Sequence, residues 1–303
     1  GDQNVMKCSS YVGNGSSTGP EINLGWEPQW VLIKGTEVAS NWTLLDSMRG
    51  IVTGGNDMML KPNATDEETT SNDYIELTPT GFKIKVSVNQ VNKDGDNYVY
   101  ICIRRPDGYV GKPPELGTDV FAMDTGTAST SIPVYDSGFP VDFAFHRQPA
   151  SSSLWNTSAR LMQNTHLSLN TNSTQNSDGW YDFDSNTGWF IDDGSTFNST
   201  YQAWMFKRHA GFDVVTYTGT GSTRQISHSL NKTPEMIWVK RRNTAAVWRV
   251  YHKGLNGGSS PEGYSLNLNN NNAEENATTV WTNAPTSLNF SVGTHAGTNQ
   301  DDD

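Results

Sequence analysis

Short stretches along the chain alternate apolar and polar residues, a period of two that is typical of a strand with one face in a core. Three of these stretches follow a proline, namely PQWVLIK from Pro28, PVDFAFHR from Pro140 and PEMIWVK from Pro234. The residues that we expect to point into a core are Val31 and Ile33, Phe143 and Phe145, and Ile237 and Val239. Clusters of Gly, Asn, Asp and Pro separate the stretches, and no window shows a helical period longer than two turns. The pattern therefore predicts an all-β chain.

A longer repeated pattern of residues, which we call the frame, precedes two of these strands. YVGNGSSTGPEINLGWEPQWVLIK runs from Tyr11 to Lys34, and YTGTGSTRQISHSLNKTPEMIWVK runs from Tyr217 to Lys240. The two segments have the same length, and Tyr, Gly-x-Gly-Ser, Leu, Pro and Lys fall at the same offsets in both. A frame written twice indicates tandem units that each build the same sheet from local sequence.

Further landmarks follow each Pro-led strand in the same order. A Trp comes next (Trp42, Trp155, Trp248), then an Asn-containing segment, then a turn that leads into another strand. We therefore predict three tandem β-sandwich units, jelly-roll or lectin-like, of about 100 residues each. Their boundaries are 1–106, 107–209 and 210–303, and the middle unit is divergent, with His146 in the place of the repeated Lys.

The predicted third unit has no counterpart of one segment that the first two units share. YVYICIRR ends the first unit and YQAWMFKR ends the second, 103 residues later. Without such a strand the third unit would expose a sheet edge, which natural proteins avoid. We expect either that the chain continues or that a neighbouring subunit supplies the strand.

The repeated motifs resemble a known family. The Tyr-x-Gly-x-Gly-Ser opening, the Pro-led strand ending in Lys, LLDSMRG or VYHKGL, and the turn before Gly-Phe are similar to a tandem repeat of uncharacterised function in tail and virion structural proteins of marine, cyanophage-like bacteriophages. The resemblance covers nearly the whole chain and is strongest in the first and third units. It implies a virion protein of a tail or fibre that contacts a receptor or a surface glycan.

Composition excludes several other classes. The 303 residues carry 21 basic and 32 acidic side chains, and the net charge of -11 would repel nucleic acid and anionic membranes. The tightest basic cluster, Lys240 to Arg242, ends a strand and is interpreted as solvated. No apolar stretch approaches the roughly 20 residues that span a bilayer. The two cysteines, Cys8 and Cys102, could form one bridge, but two unpaired core thiols fit better.

No motif supports catalysis or metal binding. The six histidines are scattered singly, without a zinc spacing or a serine-nucleophile elbow elsewhere in the chain. The paired carboxylates do not point to one strand face as glycoside hydrolysis requires, so we interpret them as solvated loop charge. They are Asp66, Glu67 and Glu68, then Asp182 and Asp184, then Asp192 and Asp193. DFDSNTG from Asp182 lacks the Gly and Glu of a calcium loop and is predicted to be a hairpin turn. We expect no catalytic residue, no metal and no cofactor.

Ligand binding by tryptophan is the function that remains to be considered, because an aromatic ring can stack on the apolar face of a sugar. Trp26, Trp180 and Trp189 lie beside Gly or Asp in turn-like contexts, so we predict that they are exposed and bind a ligand. Trp42, Trp155 and Trp248 hold equivalent repeat positions and are predicted to be core anchors.

These observations favour a non-enzymatic bacteriophage virion structural protein, located on the tail or surface of the virion and therefore extracellular. The expected partners are other virion subunits, a homo-oligomer that is most simply a trimer, and host surface glycan. A secreted array of carbohydrate-binding modules from a cellular protein is the alternative. A polysaccharide-degrading tailspike is the third choice.

Overall fold

A computed structural model describes residues 5–105, 116–191, 196–209 and 211–301. Every strand pairing in these residues is antiparallel, and the two α-helices, α1 (Asn89–Asn92) and α2 (Ala296–Asn299), are single turns. The prediction of an all-β chain is confirmed. No helix in the described part of the chain is long and apolar enough to cross a membrane.

The chain divides into two compact units, Gly1–Lys112 with Arg160–Gln163, and Pro113–Ala159 with Asn164–Asp303. The first unit contains β1 (Met6–Val12), β2 (Glu21–Asn23), β3 (Pro28–Gly35), β4 (Thr43–Asp46), β5 (Met59–Leu60), β6 (Ile75–Thr78), β7 (Gly81–Ile84) and β8 (Asn97–Arg104). Its large sheet has the order β1-β8-β3-β4-β5, and its small sheet has the order β2-β7-β6. Inward residues of both sheets, such as Val31, Tyr98 and Phe82, form one core.

The second unit contains four sheets. Its strands are β9 (Phe121–Thr125), β10 (Tyr135–Asp136), β11 (Phe143–Arg147), β12 (Asn156–Ala159), β13 (Thr165–Ser168), β14 (Asn176–Ser177), β15 (Gly188–Trp189), β16 (Gln202–Phe206), β17 (Arg224–Ser227), β18 (Met236–Val239), β19 (Arg249–His252), β20 (Tyr264–Asn267), β21 (Glu275–Asn276) and β22 (Asn289–Val292). The sheet orders are β14-β13-β12-β11-β16-β9, β10-β15, β18-β19-β20-β21 and β17-β22. Single 3-10 turns lie at Gly117–Asp119, Leu255–Gly258 and Pro261–Gly263, and the 3-10 turn at Arg160–Met162 belongs to the first unit.

One strand order recurs through these sheets. The order β1-β8-β3-β4-β5 of the first unit is matched by β9-β16-β11-β12-β13 in the second, and β18-β19-β20 matches the last three positions. The division into two compact units does not establish the predicted count of three, so the boundaries at 106 and 209 stay predictions.

The Tyr-x-Gly-x-Gly-Ser frame forms a clamp, which we define as the bonds that hold this loop to the single-turn helix about 80 residues later. In the first copy, the Tyr11 hydroxyl donates to the carbonyl of Val91 at 2.6 Å. Asn92 accepts the backbone N–H of Asn14 at 2.8 Å and donates to the carbonyl of Ser16 at 2.7 Å. The helix α1 is therefore held to the first strand of its unit by side chains of both segments.

The same clamp is present near the end of the chain. The Tyr217 hydroxyl donates to the carbonyl of Thr298 at 2.5 Å. Asn299 accepts the backbone N–H of Thr220 at 3.0 Å and donates to the carbonyl of Ser222 at 2.6 Å. The repeated Tyr supplies a hydroxyl bond to the helix in each copy, and the repeated Ser accepts through its backbone carbonyl.

Glycine is required in the clamp because the loop lies directly against backbone. A Cβ at Gly13 would overlap the carbonyl oxygen of Lys93, and one at Gly219 would overlap that of Gln300. The second glycine of the frame, Gly15, has φ +63, a left-handed conformation that side chains other than Gly rarely adopt. Only glycine satisfies both requirements without strain.

A loop of related geometry lies between β9 and β10, and the segment it contacts, residues 196–201, forms no helix. Gly126 lies against backbone like Gly13, and Ala128 takes the place of Gly15, with φ 53. The N–H of Ala128 donates to the carbonyl of Phe197 at 3.0 Å. This loop therefore has the same close backbone contact and positive φ as the two full copies, although its sequence differs from theirs.

The Trp and Asn landmarks are also joined at all three positions where they occur. The backbone N–H of each Trp donates to the side-chain oxygen of an Asn in the segment that follows. The pairs are Trp42 with Asn63 at 2.9 Å, Trp155 with Asn170 at 3.0 Å, and Trp248 with Asn269 at 2.9 Å. This bond fixes the loop between two strands, so the recurring Asn has a structural reason.

The predicted inward face of β11 is wrong. Val31 and Ile33 are buried as expected, but in β11 the buried residues are Ala144 and His146, and Phe143 and Phe145 lie on the outer face. The pairing with the adjacent strand explains the difference. His146 lies opposite Ala203, and Ile33 lies opposite Tyr100, which is the residue that corresponds to Ala203 at the repeat spacing of 103. His146 therefore corresponds to Ile33. Counting from the proline therefore misplaces β11 by one residue, and a shift of one residue exchanges the two faces of a strand.

Candidate functional site

The outer side of β9, β16 and β11 carries a group of partly exposed rings that we call the aromatic face. Its members are Phe121, Phe143, Phe145, Trp155, Trp204, Phe206 and Phe212. Strand register produces it, since alternate residues of neighbouring strands lie opposite one another on one side of the sheet. In the first row Phe121 lies opposite Phe206, which lies opposite Phe143.

The second row contains the two tryptophans of the face. Trp204 lies opposite Phe145, and their rings stack with centroids 5.3 Å apart and an interplanar angle of 25°. Trp155 packs against Trp204 at 5.3 Å, and the Arg147 guanidinium lies 4.7 Å from the Trp155 ring centroid. Each ring is held by its neighbours, so the group is ordered before any ligand arrives.

Phenylalanine rings continue the face beside this group. Phe206 stacks on Phe212 at 5.1 Å, and Phe121 and Phe143 contact Phe206 at 5.0 and 5.9 Å. Met123, which is 62% exposed, lies opposite Trp204 on the other side and extends the apolar surface to the sheet edge.

Polar side chains border the tryptophans. Arg147 donates to the carbonyl of Ser151 at 2.7 Å, and Gln148 donates to the Thr200 hydroxyl at 3.1 Å. Gln202, in the same row as Arg147, donates to the carbonyl of Asp124 at 2.8 Å. Amide and guanidinium groups next to an aromatic surface are the partners that hydroxyl-rich ligands use.

The corresponding outer face of the first unit has a different composition. Trp30, Leu32, Ile101 and Ile103 occupy the positions of Phe143, Phe145, Trp204 and Phe206. Aliphatic residues therefore replace three of the four rings. The concentration of rings is a property of the six-stranded sheet and is not demanded by the shared fold.

Two of the three tryptophans predicted to be exposed are buried. Trp26 is 4% exposed and belongs to the first core, and Trp189 is 0% exposed in the core of the six-stranded sheet. Trp180 is partly buried and packs on Phe197, with ring centroids 5.2 Å apart. Neighbouring Gly and Asp mark turns, but the tryptophans still point inward. Trp180 packs on the same core that contains Trp189, and Trp26 and Trp189 have no ring face that a ligand could reach.

The three tryptophans predicted to be core anchors have three different environments. Trp42 is 36% exposed, so the prediction is wrong there. Trp155 belongs to the aromatic face instead of a core. Trp248 is buried, and its indole N–H donates to the carbonyl of Ser168 in β13 at 2.9 Å. Equivalent repeat positions therefore share a backbone bond and differ in what surrounds the ring.

Most of the carboxylates predicted to be solvated lie at the surface. Asp66 pairs with Lys61 at 2.7 Å and Glu68 with Arg49 at 2.8 Å, and Glu67 is exposed. Asp182 accepts the backbone N–H of Asp184 at 2.8 Å in the loop before β15, but the predicted hairpin is not formed, because β15 pairs with β10 and not with a strand next to it in sequence. Asp192 and Asp193 lie outside the described residues. In the described part of the chain, no group of three His, Cys, Asp or Glu side chains is placed to hold a metal.

A buried carboxylate was missed by the sequence analysis. Asp57 is fully buried and accepts the backbone N–H groups of Val52, Tyr74 and Ile75 at 3.0, 2.7 and 2.9 Å. Burial raises the pKa of Asp57 to about 8, although these three donors act in the opposite direction. A side chain sealed from solvent cannot reach a substrate, so its role is to tie two backbone segments together, at Val52 and at Tyr74 and Ile75.

Both cysteines are free. Cys102 is buried and Cys8 is exposed, so the expectation of two core thiols holds only for Cys102. Burial raises the pKa of the Cys102 thiol, which removes the thiolate character that reactive cysteines need.

The paired sheets and the recurring clamp define a protein built from tandem antiparallel β units. The chain belongs to a family described as a domain of unknown function, DUF7483, whose model matches residues 3–105 and 205–303. These ranges contain the two full copies of the clamp. Comparison with curated proteins and with solved structures gave no match.

Proposed function

We propose that this chain is a non-enzymatic structural protein that binds surface glycan through the aromatic face. The observation that supports the proposal is the set of seven partly exposed rings on one side of a sheet. Pyranose rings have an apolar side that stacks on Trp, while their hydroxyls take hydrogen bonds from Gln and Arg. The aromatic face and its border offer both kinds of contact within one rigid sheet.

Nucleic acid is a weaker candidate ligand for the same rings. Bases also stack on aromatic side chains, but single-stranded nucleic acid binding needs a positively charged groove beside them. The chain has a net charge of -11, and among the described cation–ring contacts Arg147 lies over a ring of the face. A neutral or weakly charged polysaccharide fits this charge better.

The location of the protein is proposed from the sequence resemblance. We propose that it is a subunit of a bacteriophage virion, in a tail or tail fibre, where the aromatic face would contact host glycan. A secreted array of carbohydrate-binding modules would use the same aromatic face. The two are distinguished by detection of the protein in purified virions with a specific antibody.

Trp155 and Trp42 provide a matched test of glycan binding. They hold the same repeat position and donate the same backbone bond to an Asn, but only Trp155 lies on the aromatic face. We expect Trp155→Ala to weaken binding about tenfold or more, the loss of one stacked aromatic contact of about 1.4 kcal/mol, and Trp42→Ala to leave it unchanged.

Binding is measured by isothermal titration calorimetry against purified bacterial lipopolysaccharide, capsular polysaccharide and neutral glucans. After incubation with the protein, each polysaccharide is assayed for new reducing ends, which would reveal a hydrolase instead of a binding protein. The proposal fails if no polysaccharide binds, or if the Trp42 and Trp155 variants lose affinity equally while both remain folded by circular dichroism.

A further inference from the structure

The strand pairing places Arg147 at the position of the repeated Lys, one residue later than the sequence indicated. Arg147 lies opposite Gln202, and Lys34 lies opposite Val99, which is the residue that corresponds to Gln202 at the repeat spacing of 103. Lys240 holds the same position after the third Pro-led strand. A basic residue therefore stands at or next to the end of each of the three Pro-led strands.

These three basic side chains share a structural role. Lys34 donates to the carbonyls of the first and fourth residues after it, at 2.7 and 3.5 Å. Arg147 donates to the carbonyls at the same two offsets, at 3.4 and 2.7 Å, and Lys240 donates to the carbonyl of the next residue at 2.7 Å. This bonding ties the strand end to the loop that follows and explains why the position is basic. It does not explain why β11 has arginine.

Arginine leaves donors that the loop does not use. A guanidinium carries five N–H groups in a planar fork. The two carbonyl bonds of Arg147 take one N–H from Nε and one from Nη2. Nη1 and the second N–H of Nη2 remain, and together they form the end of the fork that binds both oxygens of a carboxylate.

The charge of Arg147 is also not neutralised by a carboxylate of the described residues. Arg49, Arg105, Arg208 and Arg249 each pair with an Asp or Glu side chain, whereas the partners that the structure shows for Arg147 are neutral carbonyls and a ring. Its positive charge can therefore act on a ligand that reaches the aromatic face.

Arg147 lies beside the tryptophans of that face. Alternate residues of a strand point to the same side, so Arg147 follows Phe143 and Phe145 on the outer side of β11. Its guanidinium is 4.7 Å from the ring centroid of Trp155, and the amide of Gln202 lies across from it on β16. A cation, an amide and an indole ring therefore meet at one end of the aromatic face.

We propose that Arg147 makes the aromatic face selective for a glycan that carries a carboxylate, such as a uronic acid residue. This inference rests on the proposed function and specifies the class of glycan. The carboxylate accepts from Nη1 and Nη2 of Arg147 while a sugar ring contacts the neighbouring tryptophans. A polymer with an acid group on every sugar is repelled by the net charge of -11, so we expect acidic sugars that are separated by neutral ones.

Matched pairs of ligands test this selectivity. Oligosaccharides of gellan and of hyaluronan contain glucuronate separated by neutral sugars, and chemical reduction of the carboxyl converts each into a neutral form of the same length. Isothermal titration calorimetry with the full chain compares the two forms. We expect at least one acidic oligosaccharide to bind about tenfold or more tightly than its reduced form. Higher salt should decrease this preference, because it screens the charge of Arg147.

Two variants of Arg147 separate recognition from loop structure. Arg147→Gln should lower the affinity for the acidic form to that of the reduced form and leave the affinity for the reduced form unchanged. Arg147→Lys keeps the side chain that Lys34 uses to hold its loop, but it lacks the planar fork and should retain only part of the preference. Arg224→Gln is the control, since Arg224 also lies over a ring, that of Tyr217, and donates to a carbonyl. It should not change the preference.

The outcomes distinguish this inference from the proposed function. Equal affinity for the acidic and reduced forms, with binding that still depends on Trp155, would overturn the selectivity and leave glycan binding in place. A preference that persists in folded Arg147→Gln, or an equal loss of affinity for both forms, would also overturn it. Absence of binding to every glycan, acidic or neutral, would overturn both proposals.

Discussion

His146 illustrates how a single residue can be misjudged from its place in a repeat. It is fully buried, and its ring nitrogens are 3.0 and 3.2 Å from the hydroxyls of Tyr135 and Tyr181. A neutral imidazole can donate to one hydroxyl and accept from the other, so both nitrogens are satisfied without a charge. The residue is a polar part of an aromatic core.

Acid should therefore destabilise the second unit. Burial, with a smaller effect of His166, lowers the pKa of His146 to about 3, while an unfolded histidine titrates near 6.5. Below about pH 6.5 the unfolded chain binds a proton that the folded chain does not, so stability falls as pH decreases towards 3. The slope from this residue is up to about 1.4 kcal/mol per pH unit.

His146→Phe separates the titration from the packing. We expect this variant to be less stable than the native chain at pH 7, because two buried Tyr hydroxyls lose their partner, but to show a shallower loss of stability between pH 6.5 and 4. Urea unfolding at several pH values measures both effects. The exposed His252, changed to Gln, serves as the control and should leave the slope unaltered, and an unaltered slope for His146→Phe would refute the assignment.

Residue type along the sequence indicated which stretches were strands but not which side faced inward. Alternation was correct for Val31 and Ile33, yet the same pattern placed Phe143 and Phe145 in a core that Ala144 and His146 occupy. Large apolar residues are normally inward, so two outward Phe residues and an inward His invert the usual inference. The signal that could have found the aromatic face was the second alternating pair, Trp204 and Phe206, in the strand that neighbours β11.

At the scale of elements, the clamp is the feature that the sequence motif encodes. Its equal spacing in two copies was visible in the sequence, but its purpose was not, because Tyr217 and Thr298 are 81 residues apart in the chain. A motif of Tyr, Gly and Ser can equally mark a ligand loop. Only the contact with the helix α2 shows that these residues hold the fold together.

Gly219→Ala should test the clamp. The added Cβ would overlap the carbonyl oxygen of Gln300, and backbone cannot move aside without breaking the bonds of Asn299. We expect a loss of about 2–4 kcal/mol in the free energy of unfolding, in the range of severe packing conflicts. Denaturation in urea, followed by tryptophan fluorescence, measures the change.

Gly263→Ala is the matched control for this prediction. Gly263 lies in the 3-10 turn Pro261–Gly263, has no left-handed φ, and has open space where a Cβ would be. Its substitution should change the free energy of unfolding by less than about 1 kcal/mol. Similar losses for both variants would show that the third copy tolerates no change of glycine and that the clamp has no special role.

At the scale of the whole molecule, the oligomeric state is the prediction that most affects the proposed function. A tail fibre is commonly threefold, so we expect the chain to form a trimer of three times 33.4 kDa in solution. Multi-angle light scattering at physiological ionic strength measures this mass directly. A monomer would favour the alternative of a carbohydrate-binding module that acts singly.

The clamp also has a consequence for how such a chain can grow. Since Tyr11 bonds to Val91 and Tyr217 bonds to Thr298, each full copy holds its opening segment beside a single-turn helix about 80 residues later. A folded segment whose ends are adjacent can be duplicated or inserted into a surface loop without pulling its host apart. Gene duplication could therefore lengthen this protein one unit at a time, and the loop at Gly126 to Ala128 shows that the same backbone geometry forms with Ala128 at φ 53 in the position of Gly15.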